Sequence, residues 1–184
     1  MSLTLDLTQM QEQGVNLETR TIFLVGEIDE EVTRRFLINF QLLDSTEGDI
    51  RIWLSSEGGS ESDGYAIFDA IKASSNKVII TVIGYAFSMA AVILQAGDVR
   101  AATKRSRLMI HNGSAIIEGH TMDVEKYGDE LKVMRSQFYQ VLADRTGLKK
   151  QEWARKTKFD LWLSAGDALK LNLIDHIIKE TKNA

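Results

Sequence analysis

One stretch constrains this chain more than any other. Val78-Ile79-Ile80-Thr81-Val82-Ile83 is a solid apolar run that reads as a strand buried on both faces. It leads into Gly84-Tyr85-Ala86-Phe87-Ser88-Met89-Ala90-Ala91-Val92-Ile93-Leu94-Gln95-Ala96-Gly97, where Met89 to Ala96 is apolar on nearly every side. A helix tolerates that pattern only when it is buried. Ser88 therefore stands where a buried strand turns into a buried helix, among residues small enough to admit backbone or substrate (Gly84, Ala86, Ala90, Ala91). A hydroxyl at a helix start faces unpaired backbone N–H groups and the positive end of the dipole. Such donors stabilise the oxyanion that forms when the hydroxyl attacks a carbonyl. The same position also suits a serine that does no more than cap the helix.

Along the rest of the chain, strands and helices alternate. Met1 to Glu18 is polar without a clean period, and reads as a flexible arm or a segment that orders only against a neighbouring subunit. Thr21 to Gly26 reads as a strand, and Asp29 or Glu30 opens a helix with Val32, Phe36, Leu37, Phe40 and Leu43 on one face. Ile50 to Leu54 is a second strand that runs straight into Ser55-Ser56-Glu57-Gly58-Gly59-Ser60, followed by a helix with Tyr65, Phe68 and Ile71 on its inner face. Val99 to Ala102 and Ser106 to Ile110 read as further strands, and the latter delivers His111 to the rim of the sheet. Thr121 to Arg145 has a helical period longer than one small core needs, and is expected to pack partly on another subunit, although a plain surface helix also fits. A short helix around Trp153, an apolar segment from Asp160 to Leu163, a helix capped at Ser164 and a last strand from Ile174 to Ile178 complete an α/β chain of one domain, residues 1–184.

Composition narrows the chemistry. Without cysteine there is neither disulfide nor thiolate chemistry, and a formal net charge of -4 offers no basic field for nucleic acid. Neither GxGxxG nor GxxxxGK[ST] occurs, so the Gly58-Gly59 turn is not a nucleotide fingerprint. No apolar run reaches membrane-spanning length and no secretory leader opens the chain, so a cytoplasmic location without a membrane partner is expected.

What remains is a serine at a strand-to-helix junction, a Gly-Gly turn and a strand-end histidine. At the carboxyl end of a strand, two glycines let backbone approach a ligand and point N–H groups inward, although a tight turn alone also fits. His120 and His176 sit in polar or peripheral contexts. A serine hydrolase needs a base, an acid that orients it, and oxyanion donors. Asp144, Asp160, Asp167 and Asp175 are all candidate acids; Asp160, beside an apolar segment, is the best placed to be partly buried.

The matching stretches are Thr21-Ile22-Phe23-Leu24-Val25-Gly26-Glu27-Ile28, Ser56-Glu57-Gly58-Gly59-Ser60 with Gly64 to Asp69, Gly84-Tyr85-Ala86-Phe87-Ser88-Met89-Ala90, Arg107-Leu108-Met109-Ile110-His111, and Asp160 to Ala165 running on to Asp175. In this order, from about Leu17 to Ile178, they resemble the ClpP family, the proteolytic subunits of the Clp protease. The resemblance implies a ClpP/crotonase-like spiral of β-β-α units. Residues 1–18 would form the axial segment, and 121–145 the protruding handle helix. It makes Ser88 the nucleophile, His111 the general base and Asp160 the orienting carboxylate, with the backbone N–H groups of Gly59 and Met89 as oxyanion donors. It also implies two stacked heptameric rings enclosing a chamber, an AAA+ unfoldase that feeds unfolded polypeptide, no cofactor or metal, and a preference for apolar residues at the cleaved bond.

Three departures stand out. Glu57 replaces the family's proline, Asn112-Gly113 replaces Gln-Pro, and Met1 to Glu18 matches the axial-loop region poorly. The alternatives are a non-catalytic ring subunit, a crotonase-type acyl-CoA enzyme, which would need a carboxylate base, and a phage-type capsid-maturation protease acting on a scaffold.

Overall fold

The computed structural model describes residues 14–113 and 118–179. Its centre is a pair of parallel strands, β3 (Ile50–Ser56) and β4 (Val78–Phe87), flanked in parallel by β2 (Thr21–Val25) and β5 (Val99–Thr103). A short antiparallel β1 (Val15–Asn16) borders β2, and β8 (His176–Ile178) lies parallel to β5 at the other edge. β6 (Arg107–Ile110) pairs in parallel with the far end of β4, and β7 (Leu161–Ser164) pairs antiparallel with β6. The sheet is mostly parallel with helices between its strands, as the α/β alternation predicts.

β4 serves two sets of neighbours. Ile79 to Val82 face β5, whereas Tyr85 to Phe87 face β6. The change falls at Gly84, whose φ of +82° favours glycine, and the β3–β4 register slips between Leu54 and Ser56. This irregularity takes the end of β4 towards β6. It also explains why burial on both faces holds for Val78, Ile80, Thr81 and Val82, while Ile79 and Ile83 are half-buried.

Capping and periodicity account for the helices. Asp29 caps α1 (Glu30–Asp44) by accepting the Val32 N–H at 2.8 Å, and the helix buries Phe36, Phe40 and Leu43, with Val32 and Leu37 at the rim of that face. In α2 (Glu61–Ala73) the buried face is Gly64, Ile67 and Ile71; Tyr65 and Phe68, expected inside, are half-buried and meet edge to face. α3 (Met89–Ile93) and the single 3-10 turn Leu94–Ala96 are buried at every residue, the outcome that their all-round apolarity demands.

α4 (Thr121–Thr146) is about 39 Å long at 1.5 Å per residue. Its buried residues, Phe138, Tyr139, Leu142 and Thr146, all lie in its second half, and Gly147 ends it in a left-handed conformation. The first half stands clear of the core and exposes Met122, Tyr127 and Val133. α5 (Lys150–Lys156) buries Trp153, and α6 (Ala165–Lys170) is capped by Ser164, which accepts the Asp167 N–H. No helix among the described residues is long and apolar enough to cross a membrane. Of the N-terminal segment, residues 1–13 lie outside the described residues. Val15, however, is buried against the domain's own sheet, so that end of the segment needs no neighbour to order it.

The last strand starts later than Ile174 because Asp175 turns to Arg100. The Asp175 carboxylate accepts the Arg100 N–H at 2.7 Å and two guanidinium contacts at 3.2 and 2.6 Å, while Arg100 also donates to Gln95 Oε1 at 2.7 Å. Burial pushes the Asp175 carboxyl up, but hydrogen bonds and charge from Arg100, with Arg145 behind it, more than offset this and leave it below its ordinary value. A depressed carboxyl stabilises the fold fully above the unfolded value and loses that contribution as pH falls through the folded one. The Asp175→Asn variant should thus lose stability at neutral pH, and the gap to the parent should narrow as pH drops below about 4. Urea midpoints measured across that range check this; a constant gap would contradict it.

Candidate active site

Ser88 sits between β4 and α3 at φ 51° and ψ -121°, a conformation that costs a non-glycine residue roughly 1–3 kcal/mol. The fully buried α3 on one side and the β4–β6 pairing on the other hold it there. Its hydroxyl makes no capping hydrogen bond to the helix. Instead Oγ lies 2.8 Å from His111 Nε2. The Ser88 N–H donates to the carbonyl of Met109 at 2.8 Å, so the end of β4 is tied to β6 two residues before His111. That backbone bond explains how a junction serine and a strand-end histidine, 23 positions apart, come to meet.

Asp160 is the one of the four candidate acids that faces this pair. Its Oδ1 is 3.9 Å from His111 Nδ1, an ion-pair distance but too long for a hydrogen bond. The expectation of partial burial fails: the Asp160 side chain is 59% exposed, against 29% for His111. The acid lies in the connection between α5 and β7, and among the described residues β7 pairs with β6 alone, at the border of the sheet. The other three acids are engaged elsewhere, Asp144 with Gln140, Asp167 with Ser164 and Lys170, and Asp175 with Arg100. His120 and His176 are exposed and away from the pair.

The Gly-Gly turn packs directly on the serine. Ile28 donates to the Gly58 carbonyl at 2.7 Å, Ser60 donates back to the Ile28 carbonyl at 2.8 Å, and the buried Ser56 hydroxyl accepts the Gly58 N–H at 3.0 Å. Gly58 and Gly59 have φ of +94° and +147°. A β-carbon on Gly58 would stand 2.8 Å from Ser88 Cβ, and one on Gly59 2.3 Å from the Ile28 carbonyl oxygen. No described residue accepts the N–H of Gly59 or of Met89. Both residues border the same cleft as Ser88 and His111.

That cleft has a volume of about 690 Å³. Its lining includes Glu27, Glu57 and Glu61, and Leu131, Arg135 and Phe138 from the middle of α4. Behind His111, the side chain of Asn112 donates to the Thr157 carbonyl at 2.8 Å and accepts from the Tyr139 hydroxyl. Thr157 in turn donates to the Trp153 carbonyl at 2.9 Å. Asn112 thereby joins the segment bearing His111 to the segment that leads to Asp160, and Tyr139 links both to α4. Sequence reasoning had no signal for this set, because Asn112, Tyr139 and Thr157 lie 18 to 45 positions apart.

A hydroxyl bonded to an imidazole, a carboxylate beyond it and two free backbone donors are the parts that acyl transfer requires. The comparisons with known proteins point the same way. Residues 8–181 match the family model described as Clp protease. The chain is 32% identical to the ATP-dependent Clp protease proteolytic subunit of Deinococcus radiodurans, over 90% of its own length and 83% of that protein. It is also 32% identical to the ATP-dependent Clp protease proteolytic subunit 3 of Rhodococcus jostii, over 86% of its length and 81% of that protein.

Proposed function

The chain belongs to the Clp protease family and is a serine peptidase subunit of that type; from that premise we propose that it hydrolyses peptide bonds through Ser88, His111 and Asp160. The observation that carries this reading is the 2.8 Å contact between Ser88 Oγ and His111 Nε2, made by a serine held in a strained conformation and released from capping. His111 takes the hydroxyl proton as Oγ bonds to the substrate carbonyl carbon. The carbonyl oxygen becomes negative and is held by the N–H groups of Gly59 and Met89. His111 then gives the proton to the leaving nitrogen, the C–N bond breaks, and an ester on Ser88 remains. Water, deprotonated by His111, attacks that ester and restores the serine. Asp160 steadies the imidazolium, a task that requires it to approach Nδ1 by about 1 Å from the present 3.9 Å.

The partners follow from the family. Its members form ring oligomers that work with Clp ATPases. For this chain the reading is two stacked heptameric rings of identical subunits, with unfolded polypeptide delivered by an AAA+ unfoldase. The exposed Met122, Tyr127 and Val133 on the free half of α4 support a contact between copies there. Native mass spectrometry together with digestion assays tests the proposal. A discrete ring assembly that cuts short peptides by itself, and a folded protein only with a Clp ATPase and ATP, is the expected result. A monomer with no peptidase activity would overturn it.

A further inference from the structure

His111 and Asp160 stand one step beyond the last pair of an antiparallel ladder. β6 and β7 match Ile110 with Leu161, and the same register continued would set His111 opposite Asp160. On this flank the two residues are placed by backbone pairing, whatever side chains they carry. On the other flank the ladder has ended. Lys158, Phe159 and Asp160 are all exposed, and among the described residues the Asp160 carboxylate faces no charged or hydrogen-bonding group except His111. One amide closes that flank. The Asn112 side chain, next to His111, donates at 2.8 Å to the carbonyl of Thr157, three positions before Asp160. A carbonyl only accepts, so this contact decides which end of the amide faces Thr157 and turns Oδ1 to the Tyr139 hydroxyl. Thr157 and Tyr139 are 1% and 7% exposed, and their hydroxyls lie 2.9 Å apart. The N–H and the hydroxyl of Thr157 both donate to the Trp153 carbonyl at 2.9 Å, so the exposed Asn112 reaches an anchored, buried partner. Ladder and amide thus bracket the imidazole and the carboxylate, and a misplacement of about 1 Å between catalytic groups can cost on the order of 100-fold in rate.

We propose that Asn112 is a positioning residue for the hydrolysis, and that its amide sets the distance and direction of Asp160 relative to His111 Nδ1. The proposal rests on the reading of Ser88, His111 and Asp160 as the catalytic groups. Asn112 also borders the cleft, so the test has to separate positioning from contact with substrate.

A double-mutant cycle between Asn112→Ala and Asp160→Asn tests it, with the assembled protein and a fluorogenic peptide. Asn112→Ala should lower kcat by roughly 10- to 100-fold and change KM by less than about threefold. In the Asp160→Asn background the same change should cost less than about twofold, since the amide then has no carboxylate left to place. Where turnover of Asp160→Asn is too slow to follow, the rate at which a fluorophosphonate modifies Ser88 is read across the same four proteins. If Asn112→Ala does not assemble, Asn112→Asp, of the same size but without the N–H donor, goes through the same cycle with the same expectation. An unchanged kcat, a rise in KM alone, or a loss equally large with and without the Asp160 carboxylate overturns this inference and leaves the catalytic groups standing. Asp160→Asn as active as the parent overturns both.

Discussion

Replacing Ser88 with alanine should reduce peptide hydrolysis by roughly 10⁴- to 10⁶-fold while leaving the fold and the assembly intact. The two halves of this expectation have separate causes. Activity falls because no other hydroxyl stands within hydrogen-bonding reach of His111 Nε2 among the described residues. Stability is nearly unchanged because the Ser88 hydroxyl caps nothing, and only its bond to a partly exposed histidine is lost, worth about 1 kcal/mol. The backbone at φ 51° is equally strained in serine and alanine, so that cost cancels. Turnover of a fluorogenic peptide, read beside thermal melting and native mass, separates the two. Cleavage that persists in Ser88→Ala would remove this serine from the mechanism.

Gly58→Ala should be the most damaging small change near the site. An added β-carbon would lie 2.7 Å from the Phe87 carbonyl oxygen, 2.8 Å from Ser88 Cβ and 2.9 Å from the Met89 nitrogen. Two of these are backbone atoms, which cannot step aside as a flexible side chain does. The added carbon also meets a φ of +94°. Strain and overpacking together should cost about 2–5 kcal/mol, and any protein that still folds should hold Ser88 out of place and lose most of its activity. Gly26→Ala is the control. Its φ of +93° is similar, but an added β-carbon there meets nothing within 4 Å, so it carries the backbone strain alone. Equal losses in the two variants, in melting temperature and in kcat, would show that contact between the turn and the serine is not what matters.

How far the sequence could be read depended on how local each signal was. The apolar run of Val78 to Ile83 and the uniformly apolar Met89 to Ala96 foretold a buried strand feeding a buried helix, because burial at both places is written in consecutive residues. The strand-end position of His111 was legible for the same reason. Asp160 was a different matter. Adjacency to apolar residues suggested burial, but β7 lies at the border of the sheet, and nothing in the local pattern distinguishes a border strand from a central one. The change of neighbours along β4 at Gly84 was equally hidden, since it arises from pairing with strands distant in the chain. Asn112, Tyr139 and Thr157 meet only after α4 has packed, so no window of sequence contains their contact.

Intact-mass analysis after treatment with a fluorophosphonate, followed by peptide mapping, tests the central claim most directly. A serine hydroxyl activated by an imidazole reacts, whereas an ordinary surface serine does not. The account predicts one adduct per subunit, located on Ser88 and absent from His111→Ala. No adduct in a fully assembled ring, or an adduct on Ser88 that survives the loss of His111, would contradict it.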